Sequence, residues 1–248
     1  MADKSLAKAL KRKIGLDEDI LIKIEVRRGE SSLLMNSSRL RIFEHVCNFP
    51  YSHLRAISRA TGYSVQTVRW HLRKMMEGGL ISESPRKGKK FYNTLKNLNI
   101  AQECEVFALL NSAEVRDIYL FIEKSPKRTQ KELCKALDIY QQRLSRVLIS
   151  LENSGLITHE KIGRGNIYFV TGKVKKLEDS FDSRSATLER ALMNAIEADS
   201  LNPSIKSSDE NSLQIKLDIG GGEGPILKIN KNPLKALLRG QIKKTIPL

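Results

Sequence analysis

The stretch "YSVQTVRWHLRKMMEGGLI", Tyr63 to Ile81, sets Gln66, Thr67, Arg69, Trp70, Arg73 and Lys74 among apolar residues at helical spacing. The chemistry available to these side chains is recognition, not bond-making. A guanidinium such as that of Arg69 or Arg73 presents a rigid fork of donors to paired acceptors or to phosphate. Gln66 offers a donor and an acceptor side by side, while Thr67 and Lys74 suit anionic oxygens. A second basic group, Arg86, Lys87, Lys89 and Lys90, surrounds Gly88. Between Tyr51 and Asn93, nine Lys and Arg stand against two acids. The chain of 248 residues carries a formal charge of +15. Such a field draws polyanions, nucleic acid first and anionic membrane second.

Other chemistries find little to work with. Four histidines are present, with no HExxH, no phosphate-loop lysine and no serine in a nucleophile elbow, so no enzyme is expected. Cys47, Cys104 and Cys134 are scattered without zinc spacing, and their odd number argues against a disulfide framework. They read as small buried apolar groups in a reducing compartment. Nothing calls for a cofactor or a metal. The N-terminus is basic without a long apolar core, and no run is long enough to span a bilayer, so a cytoplasmic protein without a membrane partner is expected.

The elements that position the basic stretch occur twice. "EGGLIS" at 77–82 and "NSGLIT" at 153–158 align without a gap, and the alignment carries Ile42 onto Ile118, Pro50 onto Pro126, Leu72 onto Leu148 and Tyr92 onto Tyr168. Each copy predicts a first helix, "SSRLRIFEHVCN" or "SAEVRDIYLFIEK", ending before a proline. A short second helix follows, "SHLRAISRAT" or "TQKELCKAL", with capping-box spacing at Thr129 and Glu132. The third helix covers Ser64 to Glu77 or Tyr140 to Asn153, and Gly79 and Gly155 suit its C-terminal stop. A hairpin completes each copy, "LISESP" with "FYNT" and "LITHEK" with "NIYFVT". On the third helix Val68, Leu72 and Met75 share one side and are expected to pack on Ile42, Val46 and Ile57. Gln66, Trp70 and Arg73 face away, with Arg69 at the flank.

This order resembles the winged helix-turn-helix, and "SVQTVRWHL…GGLI" is similar to the third helix of ArsR-type and MarR-type prokaryotic transcription regulators. The resemblance covers about 36–93 and 112–171. It implies that the third helix enters the major groove, with Gln66, Arg69, Trp70 and Arg73 at base edges and Thr67 and Lys74 towards phosphates. The wing residues Arg86, Lys87, Lys89 and Lys90 then meet the backbone. His71 resembles the histidine of the family's "HL" pair and reads as structural; Trp70 is divided between DNA contact and packing. In the second copy Ser145 replaces Arg69 and Ile149 replaces Arg73. Its candidate contacts are Gln142, Arg143, Ser145, Arg146, Lys161 and Arg164, fewer and weaker.

The expected fold is mainly α with small β wings (α+β), two winged helix-turn-helix domains in tandem, at 36–94 and 112–171. Residues 1–35 form a basic arm with a candidate strand, "ILIKIEVRR", and 95–111 a linking helix. A C-terminal helix at 172–200 carries Val174, Leu177, Phe181, Leu188 and Leu192 on one stripe, interrupted by Arg184. That stripe packs either on its own second domain or on a second copy as a homodimer, the habit of the resembled regulators. Residues 201–248 read as a linker, "LNPSIKSSDENS", and a flexible hairpin, "LQIKLDI" and "PILKIN" about "GGGEG". The function expected is a sequence-specific regulator of transcription bound to double-stranded DNA, with the transcription machinery as a further partner. The alternatives are a plasmid-type replication initiator and a non-enzymatic scaffold built on tandem winged helices.

Overall fold

The computed structural model describes residues 32–86, 88–94, 101–218 and 224–240. Most of the N-terminal arm, with its candidate strand, therefore lies outside the described residues, as does Lys87.

A short 3-10 turn, Leu33–Met35, leads into α1 (Ser37–Asn48), β1 (Ser52–His53), α2 (Leu54–Thr61), α3 (Val65–Glu77) and the hairpin β2 (Ile81–Arg86) and β3 (Lys89–Thr94). After α4 (Ala101–Leu110) the order recurs: α5 (Ala113–Lys124), β4 (Arg128–Thr129), α6 (Gln130–Leu137), α7 (Gln141–Asn153), β5 (Ile157–Ile162) and β6 (Gly165–Val170). Each unit has a three-stranded antiparallel sheet, ordered β1-β3-β2 in the first and β4-β6-β5 in the second.

Local chemistry repeats along with the order. Tyr51 and Lys127 both take positive φ (59° and 65°) after their prolines, and each backbone N–H donates to the carbonyl of the equivalent tyrosine, Tyr92 or Tyr168. Asn36, Ser64 and Thr129 cap α1, α3 and α6 with side-chain oxygens, and Thr129 with Glu132 completes the expected capping box. At the end of α3, Gly79 N–H donates to Met76 and Leu80 N–H to Met75; Gly155 and Leu156 repeat this on Glu152 and Leu151. This two-bond closure needs a left-handed residue, and Gly79 and Gly155 supply it at φ 77° and 69°. The following leucine is carried into the core in both units, which is why "GLI" recurs.

The second helix starts later than expected. His53 pairs with Phe91 in the sheet and its Nδ1 accepts Ala56 N–H, so Ser52–His53 is strand and cap, not helix. The linking helix is described from Ala101, and 95–100 lie outside the described residues.

The C-terminal third departs most from expectation. Helix α8 (Lys173–Ala198) has 26 residues and spans about 39 Å. Its stripe is buried within the chain, the intramolecular one of the two expected packings: Val174, Leu177 and Phe181 join the core of the second unit, while Leu192 and Ile196 join that of the first. Arg184 breaks the stripe because its guanidinium donates to buried Glu103 of α4 at 2.5 Å. The supposed linker is a strand, β7 (Asn202–Ser208), in a sheet ordered β7-β8-β9 with β8 (Ser212–Asp218) and β9 (Ile226–Asn230). Its polar side chains are mostly exposed because it is an edge strand held by its backbone, and polarity there discourages further pairing. The expected hairpin is present as β8 and β9, but it packs into a core and is not a loose tail. Leu213, Ile215, Leu217 and Leu227 share the core of Ile42, Val46, Ile57, Val68, Leu72 and Met75. Asn48 ties α1 to β9, donating to Lys228 O and accepting Asn230 N–H, both at 2.8 Å. A final helix, α9 (Pro233–Arg239), capped by Asn232, buries Leu234, Leu237 and Leu238 on the second core. Among the described residues no helix is long and apolar enough to cross a membrane.

Candidate nucleic-acid interface

Helix α3 is fixed by its apolar side. Val68 and Met75 are fully buried and Leu72 nearly so, in one core with Ile42, Val46 and Ile57. That anchoring leaves Gln66, Arg69, Trp70 and Arg73 exposed together, with Thr67 and Lys74 half-buried beside them. Ser64 accepts Thr67 N–H at 3.1 Å and shares a 2.8 Å hydroxyl contact with Thr67, so the start of α3 is well formed. Arg69 donates to Gln66 Oε1 at 3.0 Å. Lys74 pairs with Glu77 at 3.1 Å, and Arg73 approaches the same carboxylate at 3.9 Å. These exposed pairs are worth little and yield readily to a stronger anion.

Trp70 is 46% exposed and meets the ring of His71 edge-on at 4.8 Å. His71 is buried, and burial followed by the charge of Arg39 holds its pKa below the ordinary imidazole value. A neutral ring wedged between α3 and the core suits packing.

Beside α3 lies an open groove of about 800 Å³. Arg69 and Arg73 line it from α3, and Glu83, Gly88, Lys89, Lys90 and Tyr92 line it from the hairpin. Its floor brings in residues that sequence reasoning overlooked: His53, Arg55 and Arg59, from the start and body of α2. Arg55 and Arg59 are four apart on one helix face; their spacing is visible in the sequence, but their placement beside the wing is not. Six Arg and Lys thus surround a single lining carboxylate, Glu83, which Lys90 engages at 2.8 Å. That hydrogen bond raises the Lys90 pKa, keeping the ammonium charged. Burial, with Arg59, Lys89 and Arg55 nearby, lowers that of His53. The groove therefore holds dense positive charge on fixed elements, and the exposed pairs of Arg69 with Gln66 and of Arg73 with Glu77 can give way to an anion. Arg86 pairs with Lys89 across the hairpin backbone, at its tip. Lys87 falls outside the described residues.

In the second unit the structure separates the candidates. Gln142, Arg146, Lys161 and Arg164 are exposed. Arg143 instead reaches back to α5, where Glu114 accepts from it at 2.7 Å. Ser145 accepts from Gln130 at 2.5 Å and donates to Gln141 O, so its hydroxyl holds α6 against α7. Among the described residues no group of three His, Cys, Asp or Glu could hold a metal ion.

Residues 35–82, from the 3-10 turn to the start of the wing, match the family described as winged helix-turn-helix DNA-binding. These residues carry a winged helix-turn-helix. An uncharacterised HTH-type transcriptional regulator of Methanocaldococcus jannaschii is 28% identical over 149 residues, covering 59% of this chain and 37% of that protein. The chain thus spans little more than a third of the length of that curated relative. Among solved structures, an ArsR-like transcriptional regulator from Rhodococcus sp. RHA1 is 22% identical over 39% of this chain and 92% of its own, at a TM-score of 0.35. The IdeR of T. acidophilum is 12% identical, covering 81% of this chain and 95% of its own, at a TM-score of 0.21. At such TM-scores neither likeness bears on how this winged helix works.

Proposed function

We propose that the chain regulates transcription by binding double-stranded DNA sequence-specifically, with α3 in the major groove and the β2–β3 wing on the backbone. The observation that carries this reading is the groove: six Arg and Lys from α2, α3 and the wing around Glu83, beside a helix whose exposed side is Gln66, Arg69, Trp70 and Arg73. An α-helix fits the major groove, and Arg and Gln there discriminate bases by about 1–3 kcal/mol per good pair. In this reading Arg55, Arg59, Lys89 and Lys90 hold phosphates and set the register. Residues 36–94 and 112–171 form two winged domains in tandem; the second, through Gln142, Arg146, Lys161 and Arg164, adds a weaker contact to flanking DNA. The protein works in the cytoplasm without a cofactor and without catalytic activity.

The test is enrichment of a sequence from random duplex by the wild type and by Arg69→Ala/Arg73→Ala. The wild type should enrich a motif over a few rounds, and the variant should bind weakly without one. Enrichment of the same motif by both proteins would move base reading away from α3.

A further inference from the structure

The second unit loses most of the basic groove but keeps one pair of its cations. Lys131 and Lys135 of α6 stand where Arg55 and Arg59 stand in α2, four residues apart on one helix face. The other four cations lining the first groove, Arg69, Arg73, Lys89 and Lys90, become Ser145, Ile149, Gly165 and Asn166, while Arg164 is gained at the place of Gly88. Lys127 and Arg128 extend the pair along the turn and strand before α6, so four cations stand against one acid between Lys127 and Lys135. All four are exposed. That acid, Glu132, is already engaged: it accepts Thr129 N–H at 2.7 Å, and Arg128 reaches it at 3.5 Å. Glu152, at the place of Met76, is engaged by His159 at 2.5 Å. Gln130, next to Lys131, donates to Ser145 Oγ, which sets the start of α6 against α7. The exchange of arginine for lysine is itself informative. A guanidinium fork can match a base edge, whereas an ammonium is a point charge that suits phosphate.

We propose that Lys127, Arg128, Lys131 and Lys135 grip the phosphate backbone of duplex DNA beside the site read by α3, without reading sequence themselves. The proposal rests on the DNA-binding reading of the first unit and gives the second a different task on the same duplex. The two units are held in one frame. Phe107 of α4 packs on Tyr51 of the first unit and on Phe181 of α8, with ring centroids 5.9 and 5.7 Å apart, and Asn111 donates to Pro50 O at 3.0 Å. Helix α8 enters both cores and is about 39 Å long, close to the ~34–36 Å of one duplex turn. The phosphates gripped by α6 therefore lie about one turn from the bases read by α3.

The test uses the full chain and two duplexes that share the motif enriched by the wild type, one ending at the motif and one extended by about one turn of random sequence on each side. Lys131→Gln/Lys135→Gln is compared with Lys206→Gln/Lys228→Gln, which removes the same charge from exposed positions of the C-terminal sheet. On the extended duplex the α6 variant should bind more weakly, with a salt slope shallower by about two, while the control keeps the wild-type slope. The α6 variant should still enrich the same motif and bind the short duplex as the wild type does. An unchanged slope on the extended duplex would overturn the proposal and leave the row to an acidic protein partner. Equal losses in both variants would reduce the row to bulk charge, and an altered motif would make it a reader; either result overturns the proposal. Should the wild type enrich no motif at all, the reading of the first unit falls and this one with it, whereas failure of the α6 variant alone leaves that reading intact.

Discussion

Where α3 and its hairpin carry Arg69, Arg73, Arg86, Lys89 and Lys90, the equivalent positions of α7 and its hairpin carry Ser145, Ile149, Ile162, Gly165 and Asn166. The hairpins have the same register, Arg86 opposite Lys89 in one and Ile162 opposite Gly165 in the other. The buried residues are also equivalent, Leu72 with Leu148 and Leu80 with Leu156. What differs is the surface. Ile149 is 55% exposed and Ile162 60%, and Arg143, the nearest basic group to the start of α7, is held by Glu114. One backbone has thus been given two faces, and the contrast teaches that the core dictates the winged shape while the outward residues of the third helix and wing decide what it meets. The basic face is the one the proposed DNA contact requires.

That comparison can be broken or sharpened, beginning with the shared skeleton. Leu72→Ala and Leu148→Ala should each lower stability in denaturant by about 2–5 kcal/mol, because both leave cavities in equivalent cores. A near-neutral Leu148→Ala would show that the second core is not built like the first.

Acid should separate the units. Burial pushes the His45 pKa down to about 4, with the ring stacked on Phe49 at 4.9 Å. The fold favours the neutral imidazole, so its contribution is whole above the unfolded value near 6.5 and is lost as pH falls from there to 4. The change amounts to as much as ~3 kcal/mol. The equivalent residue is Phe121, which does not titrate. His45→Phe, which installs the residue of the second unit, should flatten the fall in Tm between pH 6.5 and 4; an unaltered profile would place the acid sensitivity elsewhere.

Smaller still are the helix stops. Gly79→Ala and Gly155→Ala meet nothing closer than 3.9 Å, so their cost is that of the left-handed backbone, about 1–2 kcal/mol each. Equal Tm losses would confirm equivalent closures. Finest is a graft: Ser145→Arg/Ile149→Arg should give α7 part of the basic face and steepen the salt dependence of DNA binding by roughly one to two phosphate contacts. No change in slope would mean that the second wing is held away from DNA.

Much of this was legible in the sequence, for reasons that can be named. The two-unit repeat, the cap at Thr129, the stops at Gly79 and Gly155 and the split of α3 into Val68–Leu72–Met75 and Gln66–Trp70–Arg73 all follow from local spacing. Long-range packing was not legible. Nothing near Leu213 or Ile215 announces that they finish the core of a unit ending more than a hundred residues earlier. Strand β7 has no apolar periodicity, since most of its side chains are exposed and its place is set largely by backbone pairing with β8. The short helix α9 did carry a signal, Asn232 followed by Pro233, that was available and unread. In the candidate interface the α3 residues were visible, but Arg55 and Arg59 join them only because α2 lies beside the wing. Arg143 and Ser145 looked available until Glu114 and Gln130 were found against them.

The most direct measurement of the central claim is the salt dependence of binding to one duplex for three proteins: the wild type, Arg69→Ala/Arg73→Ala, and Gln142→Ala/Arg146→Ala. The account predicts a steep slope for the wild type, a slope shallower by about two in the first variant, and a loss of one or less in the second. Equal losses in both, or a larger loss in the second, would contradict the assignment of DNA recognition to the basic face of the first unit.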